Sequence, residues 1–416
     1  MSERPRLLCA DAVFLGEGPI VSDGAVIVDP RGAIVDAGTR SDMCRLHAGL
    51  HAELHRGLLM PGLVNAHTHV ELSSLRGRTP SGKGFVPWLD GMLAARNDCD
   101  EVDESIGISE GVAELLAAGT VAIGEVTNTL AAVPALRRAG LVGCVFHEVF
   151  GLDGPKTVAR VEALAREAEA LGLLDDRSLR WAPSPHTLHT THPLAIEAMA
   201  RIARDRGAQM SLHLAEHPAE RWALQSGTGP MVDWLERRTQ TPREAFRWHT
   251  DGPILTAKTL GLLRADVTAV HLTDAQPHEL DLVAESGARV VLCPRSNLFI
   301  EMRLPPLLAM RRAGIEPALG TDSLASCPTL DVLAEAKVLH ERFPDVPPEV
   351  LLAMVTSYGA RALGFGSLGR LVKGTRPGIL LVEGAPPAGL DAARHALRQP
   401  MSKRHLLVSA SPNDEA

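Results

Sequence analysis

The stretch LLMPGLVNAHTH, residues 58–69, is an apolar run that ends on two imidazoles, His67 and His69, one residue apart. From here on, the chain changes rhythm. Short apolar runs recur at 120–126 (TVAIGEV), 141–149 (LVGCVFHEV), 179–186 (LRWAPSPH), 209–216 (QMSLHLAE), 267–272 (VTAVHL), 289–297 (RVVLCPRSN) and 316–323 (EPALGTDS). Between them lie segments with apolar residues at helical spacing, such as VARVEALAREAEAL at 158–171 and PLAIEAMARIARDRG at 193–207. Eight strand candidates alternating with helices predict an α/β fold, a (β/α)8 TIM-like barrel. A doubly wound sheet is the alternative, but it wants a Gly-rich phosphate loop after its first strand, and none is present.

The flanks read differently. LLCADAVFLG, GAVIVDPRGAIVDAG and AELHRGLLM near the start, and GSLGRLVKGTRPGILLVEG and HLLVSA near the end, are short β-like runs among Gly, Pro and Asp. They predict a small composite β-sandwich built from both termini, with residues 1–57 and 366–410 flanking a barrel over 58–365. The tail 411–416 (SPNDEA) is expected to be disordered.

Bulk composition narrows the function. Of 416 residues, 45% are hydrophobic and 22% charged, which is globular composition, and a chain this long fits one large domain with a smaller one. The net charge of −8 offers no basic footprint, so no nucleic-acid partner is expected. Six cysteines include no CxxC pair, which fits reduced thiols in a cytoplasm. The N-terminal residues carry no long apolar segment of a secretory leader, and no apolar run is long enough to span a membrane, so a cytoplasmic location without membrane association is expected. A homodimer is the expectation from base rates alone.

Polar residues fall where the apolar runs stop. His67 and His69 end the first run and His213 the fifth, with Glu216 three residues on; His271 ends the sixth and Asp322 the eighth. In a barrel those ends share one rim. Three imidazoles and a carboxylate suit one divalent ion, Zn2+ first and Fe2+ or Mn2+ as alternatives, with room for a water whose pKa the ion lowers. Glu216 and His271 are then candidate proton carriers, and Asp322 both a metal ligand and a proton acceptor. Each residue has a plainer reading. A strand-end His is often a hydrogen-bonded core residue, Asp322 after Gly-Thr suits a turn or cap, and Glu216 suits a first helical turn. Their coincidence at four strand ends favours the site. The stretch SPHTLHTTHP (184–193) carries three more histidines, but its prolines break regular helix; His189 and His192 read as a polar loop entering a helix, and His186 as a substrate contact. Strand four lacks a lysine to bridge two ions, so a single metal is expected.

PGLVNAHTH, HLAE, VHL and GTDS together resemble the amidohydrolase superfamily, in its deaminase and chlorohydrolase branch. The resemblance covers nearly the whole chain. It implies His67, His69, His213 and Asp322 as metal ligands, Glu216 as the acid that protonates a substrate ring nitrogen, and His271 and Asp322 as managers of the protons of an attacking water. HLAEHPAE, CPRSN, LGTDSLAS and FHEVFG further resemble the aminodeoxyfutalosine deaminases of menaquinone biosynthesis, which turn an adenine on a substituted deoxyribose into hypoxanthine. That likeness implies a small-molecule purine nucleoside as substrate, and Glu148, His186, Ser296 and Asn297 as contacts to it. Adenosylhomocysteine, methylthioadenosine, guanine and chlorotriazines are alternative substrates, and a non-catalytic barrel is the alternative class. One departure is Pro377-Gly378, where the family reads Ala-Asp; it falls in the small domain. Residues 74–93 resemble the family's capping loop and helix, where Phe85 and Trp88 either cover a substrate ring or simply pack.

Overall fold

The computed structural model describes residues 4–240, 242, 252–384 and 391–412. Fourteen strands are seen among them. β1 (Arg6–Val13), β2 (Val21–Val28), β3 (Ile34–Thr39) and β4 (Ala52–Pro61) come first. β5 (Leu63–Thr68), β6 (Thr120–Thr127), β7 (Val142–Val149), β8 (Leu179–Pro185), β9 (Met210–Leu214), β10 (Val267–His271), β11 (Arg289–Leu292) and β12 (Ala318–Leu319) follow, separated by helices. β13 (Pro377–Glu383) and β14 (Arg404–Ala410) close the chain.

The terminal strands form one mixed sheet in the order β14-β13-β4-β1-β2-β3. The two termini do combine as expected, but in a single six-stranded sheet and not as two facing sheets. The short helix Arg40–Leu46, absent from the sequence reading, covers one face with Met43, beside Leu7, Cys9, Ala25 and Ile27. A helix supplies the apolar cover that a second sheet would have given. The run at 58–67 is split at Gly62: Leu58–Pro61 ends β4 in this sheet, and β5 begins the next unit. Pro377 and Gly378 still start a strand, because Gly378 takes a φ of +71° that other residues resist. Of the tail, residues 413–416 lie outside the described residues.

β5 to β12 run parallel in two four-stranded sheets, β5-β6-β7-β8 and β9-β10-β11-β12. Their apolar faces explain the strands: β6 and β7 are buried along their whole length, as a sheet covered on both sides requires. The sheets meet at two seams. At one, a parallel bridge joins Thr68 to Asp322, and Asn65 and Thr321 exchange side-chain and backbone bonds of 2.8 and 3.0 Å. At the other, His213 N donates to His186 O at 3.1 Å. The opposite end of the strands is plugged. Carbonyls of Ala362, Leu363 and Gly364 accept from Thr268 on β10, Cys144 on β7 and Arg180 on β8. Because a plug fills that end, the end that carries the strand C-termini is left for chemistry. No helix among the described residues is long and apolar enough to cross a membrane.

The terminal sheet is tied to the rest by a buried ion pair. Arg404 on β14 holds Asp331 through bonds of 2.6 and 3.0 Å, and Asp331 also caps the helix Val332–Arg342. Arg404→Ala strands the carboxylate and is expected to cost about 3–5 kcal/mol. A urea midpoint equal to wild type would show that this tie carries no stability.

Candidate active site

The sequence-predicted ligands converge. Ring nitrogens of His67, His69 and His213 all lie within 4.8 Å of one another. His67 Nε2 faces His213 Nε2 at 3.2 Å, and His69 Nε2 lies 3.6 Å from Asp322 Oδ1. The Nδ1 of His213 donates to the His186 carbonyl at 3.0 Å, so its Nε2 presents a lone pair to the cluster. Burial and neighbouring imidazoles push His67 and His69 well below the ordinary histidine range, and burial lowers His213. All three rings are therefore neutral, the state a metal needs. Two Nε2 atoms aimed at each other, with His67 Nδ1 buried and unpartnered, fit a shared cation better than they fit one another.

Backbone conformation aims these groups. Strict alternation along β10 would send Val270 and His271 to opposite faces. His271 escapes it with a φ of 78°, and Leu272 follows at 49°. Asp322 (60°) and Ala215 (49°) are also left-handed. Four such non-glycine residues at strand ends mark strain concentrated at one site. Gly320 allows the approach on the other side: a Cβ there would lie 2.6 Å from that of His67.

Opposite the histidines sit the two candidate proton carriers. Glu216 Oε1 lies 3.7 Å from His271 Nε2. Burial first, then Asp322, raises the Glu216 carboxyl well above its usual range, which favours its protonated form. Burial lowers His271 to about 3. Asn297 Nδ2 donates to His271 Nδ1 at 3.2 Å, leaving the ring proton on Nε2, facing Glu216. Ser296 Oγ donates to Asp322 Oδ2 at 2.6 Å, joined by Ser326 at 3.1 Å. Ser296 and Asn297 were expected at a nucleoside; both are fully buried and brace Asp322 and His271. Glu148 accepts from Asn128 Nδ2 at 3.1 Å, while its Oε1, 3.5 Å from His213 Nδ1, has no hydrogen bond. The His186 ring lies 5.1 Å from that of His213, with its Nδ1 2.7 Å from Thr190 Oγ1. His192 caps the helix Pro193–Asp205, as expected of a loop entering a helix, and His189 is buried. Phe85 stacks on His217 at 3.9 Å and Trp88 donates to the Ala325 carbonyl, so both pack in this structure.

Sequence reading missed the carboxylates behind the site. Glu125, in mid-strand on β6, accepts from Thr68 Oγ1 at 2.6 Å and Val70 N at 2.9 Å, fixing the backbone on both sides of His69. Glu71 holds Thr127, Asn128 and Thr129. Glu220 accepts from the amides of Ala215 and Glu216. The signal was available for Glu125, since an acid inside an apolar strand run is rarely buried without a task.

Residues 58–408 match the family model described as "Amidohydrolase family". The chain belongs to the amidohydrolase family. Its members are hydrolases that act on carbon–nitrogen bonds, and similar curated relatives are named deaminases. The aminodeoxyfutalosine deaminase of Deinococcus radiodurans is 31% identical over 379 residues, 86% of each chain. The 5-methylthioadenosine/S-adenosylhomocysteine deaminase of Halobacterium salinarum is 32% identical, over 87% of this chain and 80% of that one. The crystal structure of Helicobacter pylori aminofutalosine deaminase with methylthio-coformycin superposes with a TM-score of 0.83 at 21% identity, over 96% of this chain and all of the other. That likeness extends the fold across both the parallel strands and the terminal sheet.

Removing a central imidazole tests the cluster. His213→Ala is expected to lower bound metal per chain severalfold, read by elemental analysis after dialysis. Metal content at the wild-type level would take His213 out of the cluster.

Proposed function

We propose that this amidohydrolase is a metal-dependent hydrolytic deaminase of an adenine nucleoside, with aminodeoxyfutalosine as its substrate. On this reading the two four-stranded sheets act as one (β/α)8 barrel over 58–365, with residues 1–57 and 366–410 as the small domain. The observation that carries the activity is the pairing of a buried Glu216, its carboxyl raised well above the usual range, with His271 beside three converged imidazoles and Asp322. A hydrolase that only needed a cation would have no use for a buried acid held 3.7 Å from a second titratable ring.

His67, His69, His213 and Asp322 would hold one divalent ion, Zn2+ by the nitrogen-rich donor set. When bound, such an ion makes water nucleophilic near neutral pH. The remaining steps belong to the chain. Glu216 gives its proton to the ring nitrogen next to the amino-bearing carbon as water adds to that carbon. Asp322 takes up the proton that water loses and returns it to the amino group, which leaves as ammonia, while the Nε2–H of His271 donates a hydrogen bond to the added oxygen. The ring nitrogen keeps the proton it received, and the new hydroxyl gives its remaining proton to Glu216 as the oxygen becomes a lactam carbonyl. Ser296 and Asn297 keep Asp322 and His271 in orientation, while Glu148 and His186 are the polar groups placed to meet the nucleoside.

Aminodeoxyfutalosine is favoured by the match to the Deinococcus enzyme and by the rim. Phe150, on the segment following β7, is large, exposed and apolar, and lies 6.3 Å from the His186 ring. Such a side chain suits an aromatic or apolar extension on the ribose better than a zwitterionic one. Methylthioadenosine is the second reading, on the similar identity to the Halobacterium enzyme. The preferred reading places the enzyme in the cytoplasm, in menaquinone biosynthesis.

Two measurements test this. Metal-loaded protein is expected to release ammonia fastest from aminodeoxyfutalosine in a panel with adenosine, methylthioadenosine, adenosylhomocysteine, guanine and a chlorotriazine. A preference for methylthioadenosine would move the substrate assignment, and silence from every amine would remove the activity. Glu216→Gln should keep its metal and lose about 100- to 10,000-fold in kcat; full activity would end the acid role.

A further inference from the structure

Ala215 stands between β9 and Glu216, and it is left-handed at a φ of 49°. An L-residue with a Cβ resists that conformation, so something else holds it. The holder is visible. Glu220 Oε1 accepts from Ala215 N at 3.0 Å, and its Oε2 accepts from Glu216 N at 2.8 Å. Both carboxylate oxygens thus grip consecutive amides. Glu220 is buried, and its own amide donates to His217 Nδ1 at 3.1 Å, at the start of the helix Pro218–Ser226. The carbonyl of Ala215 is fixed as well, accepting from Asp274 N at 2.7 Å. Asp274 and Glu279 are both held by Arg221, through bonds of 2.7 to 2.9 Å. One step away, Leu272 N donates to Leu214 O at 3.1 Å, which ties the segment after His271 to the strand before Ala215.

We propose that Glu220 is a positioning residue for Glu216: it clamps the left-handed turn at Ala215 and so sets the acid against His271. The proposal rests on the reading of Glu216 as the proton donor. Without the clamp, Ala215 relaxes to a right-handed or extended conformation, and the side chain one residue on changes direction. Metal ligands are not involved, because His213 lies on the strand itself, before the turn.

The test is a double-mutant cycle of Glu220→Ala and Ala215→Gly, with metal content, kcat, KM and urea midpoint measured for each protein. E220A should keep its metal and a KM near wild type while kcat falls about 100-fold, the effect of a misplaced reacting group. A215G in the E220A background should recover about tenfold of that loss, because glycine takes the left-handed conformation unaided. A stabilising residue with no part in aiming Glu216 would lower the midpoint and leave kcat of the folded protein alone, which overturns the proposal. Should E220A fail to fold, E220Q fits the same space and keeps one acceptor; kcat at the wild-type level in that variant overturns it equally. The midpoint cycle needs no substrate. A215G alone should unfold no earlier than wild type and should shrink the destabilisation caused by removing the Glu220 carboxylate. Additive effects on the midpoint would show that Glu220 does not clamp this turn. If no amine is turned over by wild type, the reading of Glu216 fails while the midpoint cycle still decides the clamp.

Discussion

One carbonyl organises the site. The oxygen of His67 accepts from Thr321 N at 3.0 Å and Asp322 N at 3.1 Å, which locks the first parallel strand against the segment that follows the last. The lock depends on Gly320, whose missing Cβ leaves room for the His67 backbone. Through it, a histidine and an aspartate more than 250 positions apart in sequence share one corner. Backbone bonds set that distance, with the Asn65 and Thr321 side chains bonding beside them, and the carboxylate and imidazoles inherit it. The two amides also define how Asp322 turns, since its left-handed φ of 60° points the carboxylate toward His69 and the hydroxyls of Ser296 and Ser326.

Desolvation then gives the same set of residues opposite chemical characters. Burial penalises whichever form of a group is charged. For His67, His69 and His271 that form is the imidazolium, so the rings stay neutral, and two of them offer lone pairs to a cation. For Glu216 it is the carboxylate, so burial favours the protonated form. A solvated rim with the same residues would have histidines that are partly charged and a glutamate that is ionised, which suits acid catalysis near neutrality poorly. Enclosure thus favours both halves of the chemistry, and it explains why carboxylates such as Glu71, Glu125 and Glu220 sit behind the site: buried backbone amides at irregular strand ends need strong acceptors.

The parts of this arrangement that were legible in sequence are those that follow from periodicity. Apolar runs of strand length gave all eight parallel strands, and a polar residue at the end of each relevant run gave His67, His69, His213, His271 and Asp322. Where the sequence reading fell short, the missing information was directional. Ser296 and Asn297 were read as contacts to a nucleoside and bond Asp322 and His271 instead, because whether a side chain on that turn faces a ligand or a neighbour depends on the backbone angles of the helix start. Phe85 was likewise ambiguous until its ring lay on His217. The single six-stranded sheet was hidden for another reason. Alternating strands look the same whether a second sheet or the short helix Arg40–Leu46 covers them, and that helix has only Met43 buried to announce it.

The distribution of backbone strain argues that this geometry serves chemistry and not the stability of the fold. Left-handed glycines are spread over the whole chain at turns and helix ends, where they cost little. Eight left-handed residues with a Cβ are seen among the described residues, and four of them, Ala215, His271, Leu272 and Asp322, stand where β9, β10 and β12 give way to the rim, while Asp23, Leu130, Gln240 and Met302 lie elsewhere. Each costs on the order of 1–2 kcal/mol against a relaxed alternative. Two of the four, His271 and Asp322, cannot become glycine without losing a polar side chain of the candidate site, and the others carry the turns that aim such side chains. Hydrogen bonds from Ser323 N to Asp322, from Asn297 to His271 and from the Ala215 amide to Glu220 offset the cost locally. The stabilising groups are therefore placed by the strain they relieve, which is why the polar residues around the rim support particular backbone angles and do not simply fill space.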